Sequence, residues 1–99
     1  MILVNTTYHI HTSLVPTFEQ WMHSQLIPAA NRSGIVTEPQ LMKILADVAP
    51  ECSSYAMHVK AMNMDHAEKW EDMSAVIRAE LSHTCGDKAL WFTTYMEII

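Results

Sequence analysis

The first eleven residues alternate. Even positions Ile2, Val4, Tyr8 and Ile10 are mostly apolar, and odd positions Asn5, Thr7, His9 and His11 are polar. Thr6, Thr7, Tyr8 and Ile10 also favour extended backbone, so residues 1–11 predict a strand with one face for a core. The period then changes. Leu14, Phe18, Trp21, Met22 and Leu26 fall on one helical stripe, with Ser13 placed to cap it and Pro16 in its first turn. This predicts a helix from Leu14 to Ser33. Pro28 has no N–H to donate and is expected to kink the helix or end its regular part. Gly34 fits the position just past the end, where left-handed backbone suits glycine. Residues 35–39 read as a connector. Residues 40–49 read as an edge strand, with Met42, Ile44, Ala46 and Val48 on one side and the charges of Lys43 and Asp47 on the other. Pro50 to Ser53 makes a turn. A strand over 53–62 follows, with Tyr55, Met57, Val59 and Ala61 opposed to Ala56, His58, Lys60 and Met62. A helix then runs from Met64 to Thr84, capped by Asn63 and striped by Ala67, Trp70, Met73, Ile77 and Leu81. Gly86 punctuates its end. The last strand, about 88–98, alternates Leu90, Phe92, Thr94, Met96 and Ile98 with Trp91, Thr93, Tyr95 and Glu97.

The order is β-α-β-β-α-β, which predicts an α+β fold of the ferredoxin-like type: an antiparallel sheet of order 4-1-3-2 with both helices on one face. Its 99 residues form a single domain over 1–99. The even face of strand one, the odd face of strand three and the even face of strand four are expected against the helices. The uncovered face then carries Asn5, Thr7, His9 and His11 from strand one, His58 and Lys60 from strand three, and Trp91, Thr93 and Tyr95 from strand four. A face holding Trp91 and Tyr95 is too apolar to be left in water, and a domain this small gains from burying more surface. A homodimer through that sheet face is the expected assembly.

Six basic against eleven acidic residues give a net charge of −5. That speaks against nucleic acid or an anionic membrane as partner, since both are bound through clustered Lys and Arg. No apolar run approaches the ~20 residues of a membrane span. The N-terminus lacks the basic region and cleavage site of an export signal, so the expected address is the cytoplasm, with Cys52 and Cys85 reduced.

Three stretches carry a resemblance. Met1-Ile2-Leu3-Val4-Asn5-Thr6-Thr7, the passage from Trp21 through Ile27-Pro28-Ala29-Ala30 to Gly34, and the ending Gly86-Asp87-Lys88-Ala89-Leu90-Trp91-Phe92-Thr93-Thr94-Tyr95-Met96-Glu97 resemble a small bacterial family of about this length. That family is known only as a domain of unknown function within the dimeric α/β-barrel group. The resemblance implies a ferredoxin-like fold and a dimer. It brings no catalytic residue. Where relatives carry His or Tyr before the Ile-Pro of the first helix, this chain has Leu26, and where they carry His-x-Pro in the second, it has Met73, Ser74 and Ala75.

Candidate chemistry is sparse. No Gly-rich phosphate loop, GxSxG, HExxH or paired CxxC occurs. His9-x-His11 places two imidazoles on one strand face, about 7 Å apart, and His58 is a conceivable third ligand. With no carboxylate beside them, the plainer reading is a polar cleft or an interface, with no metal expected. Asp65, Glu68, Lys69, Glu71 and Asp72 read as a solvated helix front. Trp21, Trp70 and the methionines Met22, Met42, Met57, Met73 and Met96 read as core. Two functions follow. The first is a small-molecule-binding or interaction module using Asn5, Thr7, His9, His58, Trp91, Thr93 and Tyr95. The second, by analogy with the dimeric α/β-barrel group, is a cofactor-independent enzyme of monooxygenase, haem-degrading or isomerase type on a small aromatic or carbonyl substrate. In it His9 or His58 would be the general base. No cofactor is expected in either.

Overall fold

Alternation at the N-terminus does produce β1, Ile2–His11, and its even residues Val4, Thr6, Tyr8 and Ile10 are buried. The computed structural model describes residues 1–46 and 50–99. After β1, a 3-10 turn over Thr12–Leu14 leads into α1 (Val15–Trp21), a π turn over Met22–Leu26 and α2 (Ile27–Ser33). The regular α-helix gives way at Met22, six residues before Pro28, and resumes at Ile27. The Ile27 N–H bonds the Met22 carbonyl five residues back, and Pro28 then sits in the first turn of α2, where its missing N–H does no harm. Gly34 ends α2 at φ 72°, the left-handed geometry expected of it.

The edge strand begins earlier than its alternation predicts. β2 runs Val36–Lys43 rather than over 40–49, with a bulge between Thr37 and Gln40. The bulge absorbs Glu38, at φ 54°, and Pro39, the last two residues of the stretch 35–39 read as a connector. Of the predicted strand, positions 47–49, with Asp47 and Val48 among them, lie outside the described residues. β3 is Cys52–Ala61, α3 is Met64–Cys85 and β4 is Ala89–Glu97. Asn63 caps α3 as anticipated, its Oδ1 accepting the His66 N–H at 2.9 Å.

The sheet order is β2-β3-β1-β4, all pairs antiparallel, which is the ferredoxin-like 4-1-3-2 arrangement. β1 and β3 occupy the centre. Beneath them Phe18 is fully buried, its ring 5.1 Å from Tyr8, 4.9 Å from Tyr55 and 6.2 Å from Trp21. Trp21, Trp70, Met22 and Met57 join this core as expected, but Met42, Met73 and Met96 are exposed.

One element is inverted relative to the expectation. β1 pairs Val4 with Tyr95, Thr6 with Thr93, Tyr8 with Trp91 and Ile10 with Ala89. Directly paired residues share a sheet face. Trp91, Thr93 and Tyr95 therefore lie on the helix side, with Tyr8 and Trp91 rings 5.9 Å apart, and not on the uncovered face. The even residues Leu90, Phe92, Thr94 and Met96 take the open face instead.

Candidate functional site

The open sheet face has a polar centre and an apolar flank. β1 contributes Asn5, Thr7 and His9 as expected, and β3 contributes His58 and Lys60, opposite Asn5 and Leu3 respectively. Each polar group is held locally. Asn5 Nδ2 donates to Thr7 Oγ1 at 3.3 Å, His9 Nδ1 shares a 2.8 Å hydrogen bond with Ser54 Oγ, and His58 Nε2 bonds Gln40 Oε1 at 3.2 Å. Lys60 pairs with Glu38 of the bulge at 3.1 Å. His11 leaves the face, its Nδ1 accepting the Ser13 N–H and so capping the 3-10 turn.

The three candidate metal ligands do not converge. His58 lies across from Asn5 and His9 across from Ser54, so four residues of strand, ~13 Å, separate the two imidazoles. Among the described residues no group of three or more His, Cys, Asp or Glu can hold a metal ion. A cavity of about 190 Å³ lies between the helical arm and α3, at Thr17, Gln20, Trp21, Ser24, Gln25 and Glu80. A second, of about 140 Å³, lies at the sheet end by Met1, Ile35, Lys60, Met62 and His66. Neither contains Asn5, Thr7, His9 or His58.

Along the flank, β4 presents Leu90, Phe92 and Met96, 61%, 55% and 42% exposed, with the Phe92 ring 6.3 Å from His9. Met42 of β2 adds a partly exposed apolar side chain on the far edge. The apolar, unpartnered character deduced for this face is thus present, but carried by different side chains.

The displaced residues belong to a second constellation, on the helix side, that the sequence pattern did not bring together. Arg78 of α3 is 3% exposed and ion-paired through Nη2 to Glu71 Oε1, seven residues earlier on the same helix. Thr93 Oγ1 donates to the same Glu71 oxygen at 3.2 Å and shares a 3.0 Å hydrogen bond with Thr6 Oγ1. Glu71 is therefore no part of a solvated front. The signal was available: Trp70, Ser74, Ile77, Arg78 and Leu81 share one helical stripe, which places a charge inside the buried face. Burial pushes the Tyr8 phenol up to about 12, the Arg78 charge opposing this and the Glu71 charge adding to it. Tyr55 also rises to about 12, by burial and then by its 2.6 Å hydrogen bond to Glu19.

Raised phenol values have a direct consequence. Folding favours the neutral phenols, so their contribution is complete below pH 10 and is lost as pH climbs from 10 through 12. For Tyr8 alone the loss is about 2–3 kcal/mol. Urea unfolding at pH 9 and pH 11.5 should show stability falling over this interval, and Tyr8→Phe should flatten part of the fall. An unchanged slope in that variant would remove Tyr8 from the account.

The comparisons agree with the fold. A family model described as Domain of unknown function (DUF4286) matches residues 1–99. No curated protein matches the chain. Among solved structures, HapK from Hahella chejuensis superposes with TM-score 0.70 at 16% identity, covering 100% of this chain and 93% of its own. A MhuD mutant with two manganese protoporphyrin IX bound per active site gives 0.69 at 15%, covering 100% and 95%. A dimeric ferredoxin-like protein from an uncultured marine organism gives 0.62 at 8%, covering 99% and 95%. At these identities the likeness is one of fold. No helix among the described residues is long and apolar enough to cross a membrane.

Proposed function

We propose, given that the chain belongs to the family described as Domain of unknown function (DUF4286), that it works as a homodimeric interaction module whose two copies meet through the open sheet face. The observation that carries this is the row Leu90, Phe92 and Met96, exposed beside hydrogen-bonded polar groups on a face no described helix covers. Isolated apolar residues need no explanation, but three on one strand face, interrupted only by Thr94, do. Four strands of about ten residues cover roughly 33 by 19 Å, or about 600 Å² per copy. Two such faces bury about 1,200 Å², the lower limit of a stable interface. The Glu38 carboxylate is compensated by Lys60, so this pair does not repel a second copy. Solved proteins of this shape include ones described as dimeric ferredoxin-like.

This favours binding over catalysis by the same groups. A base must reach its substrate. His9 and His58 would each have to leave Ser54 or Gln40, and neither lines a described cavity. Asn5, Thr7, His9 and His58 then form the polar centre of the interface, and Phe92 its anchor. The bacterial, cytoplasmic setting remains the one expected for such a protein.

Analytical ultracentrifugation tests the assembly. The wild type should sediment at twice the 11.3 kDa chain mass at micromolar concentration. Phe92→Lys should cost ~2 kcal/mol in each copy and raise Kd by about 10³-fold, giving a monomer with unchanged circular dichroism. A wild-type monomer at about 100 μM would reject the reading, because a face of this size should hold two copies together well below that.

A further inference from the structure

Ile2 pairs with Ala61 at one end of the sheet, so Met1 and Met62 are the next residues outward on adjacent strands. Both stand in solvent, Met1 55% and Met62 71% exposed. The ordinary use of a thioether is to fill gaps in a core, as Met22 and Met57 do here. His66 reaches the same place from the start of α3. Its N–H is held by the Asn63 cap at 2.9 Å, which fixes the turn that follows Met62. Met1, Met62 and His66 all line the cavity of about 140 Å³ at this end, with Ile35 as an apolar wall. One exposed methionine needs no explanation. Two of them bordering one cavity together with an imidazole are a set of metal donors.

We propose that Met1, Met62 and His66 form a binding site for monovalent copper, with two thioether sulfurs and one imidazole nitrogen as ligands. Thioether sulfur is a soft donor that selects Cu(I), and imidazole suits copper as well. The same set is poor for Zn(II), which takes thiolate, imidazole and carboxylate. Among the described residues no group of three His, Cys, Asp or Glu offers it those. Each methionine side chain is unbranched with three rotatable bonds, so both sulfurs can turn onto an ion in the cavity. The electrostatics admit one positive charge. The Lys60 ammonium at the cavity is paired with Glu38 at 3.1 Å, and Asp65 in the first turn of α3 offsets the positive end of that helix. A monovalent ion on neutral ligands also brings in the least charge. The three ligands belong to one chain, so the site stands independently of the meeting of two copies.

The test is an anaerobic titration of Cu(I) into protein carrying ¹³C in its methionine methyl groups. Of the eight methyl signals, those of Met1 and Met62 should move, and they should stop moving at one ion per chain. Zn(II) should leave both in place. Met62→Leu, at a largely exposed position, should weaken Cu(I) binding by ~10-fold or more, since losing even an outer partner of a metal ligand costs about 10–100-fold. Met73→Leu, exposed on α3 and not at the cavity, should change nothing. The half-buried thiol of Cys52 is a rival for Cu(I), but it lies opposite His11 at the far end of β1. Cys52→Ser should therefore leave the Met1 and Met62 shifts as they are. Phe92→Lys should do the same, which tests this site apart from the dimer. The proposal is overturned if a twofold excess of Cu(I) leaves the Met1 and Met62 signals unmoved or if Zn(II) moves them equally. It is equally overturned if Met62→Leu binds like the wild type, or if the shifts vanish with Cys52→Ser or Phe92→Lys.

Discussion

Phe18→Ala should remove a large part of the protein's stability. Phe18 is fully buried at the junction of α1 with the two central strands, in contact with Tyr8, Tyr55 and Trp21 at once. Alanine removes the ring and leaves a void bounded by three large side chains that are themselves held in place. Such a void does not collapse, so the cost is about 3–5 kcal/mol. A domain of this size holds only ~5–15 kcal/mol in all. Calorimetry should show Tm lowered by at least about 12 °C. A fall of a degree or two would mean that the aromatic cluster is far more plastic than its spacing implies.

The second large effect concerns the buried ion pair. Arg78→Ala strands the Glu71 carboxylate, three-quarters buried, beside the Thr93 hydroxyl. Removing one member of a buried pair costs ~3–5 kcal/mol, and the exposed quarter of Glu71 places the expectation at the lower end. Glu71→Leu combined with Arg78→Met should restore most of what the single change loses, since two apolar side chains of similar volume leave no charge behind. A double-mutant cycle in urea measures this. Strict additivity of the two single changes would show that the pair contributes nothing as a pair.

Much of the architecture was legible because several signals agreed. β1 alternates cleanly, Asn63 and Gly34 mark ends for stereochemical reasons, and the stripe through Ala67, Trp70 and Leu81 has a single buried solution. β4 was not legible in the same way. Its odd positions hold Trp91 and Tyr95 and its even positions Leu90, Phe92 and Met96, so both faces are apolar and alternation does not choose between them. Pairing with β1 decides the matter. Ala89 opposite Ile10 fixes every residue after it, and a shift of one position would reverse them all. Hydrophobicity alone favours Leu, Phe and Met inside. The observed choice instead gives Thr93 to Glu71 and Trp91 to Tyr8, contacts that become visible only in three dimensions. β2 was displaced for a different reason: Pro39 looks like a breaker and is tolerated because it falls in a bulge on an outer strand.

The π turn before Pro28 bears on how much change in length the arm can absorb. Phe18, Met22, Leu26 and Ala30, all buried, follow one another at intervals of four. In an unbroken helix of 3.6 residues per turn such a series would wander by ~40° at each step, or ~120° over three, and Ala30 would leave the core. The wider coil over Met22–Leu26 takes up part of that drift. It is the form a helix assumes when one extra residue is threaded in without disturbing what lies on either side. A change of one residue in length is therefore easiest to absorb in this stretch, where the spiral can swallow or release one position while both flanks keep their grip on the sheet.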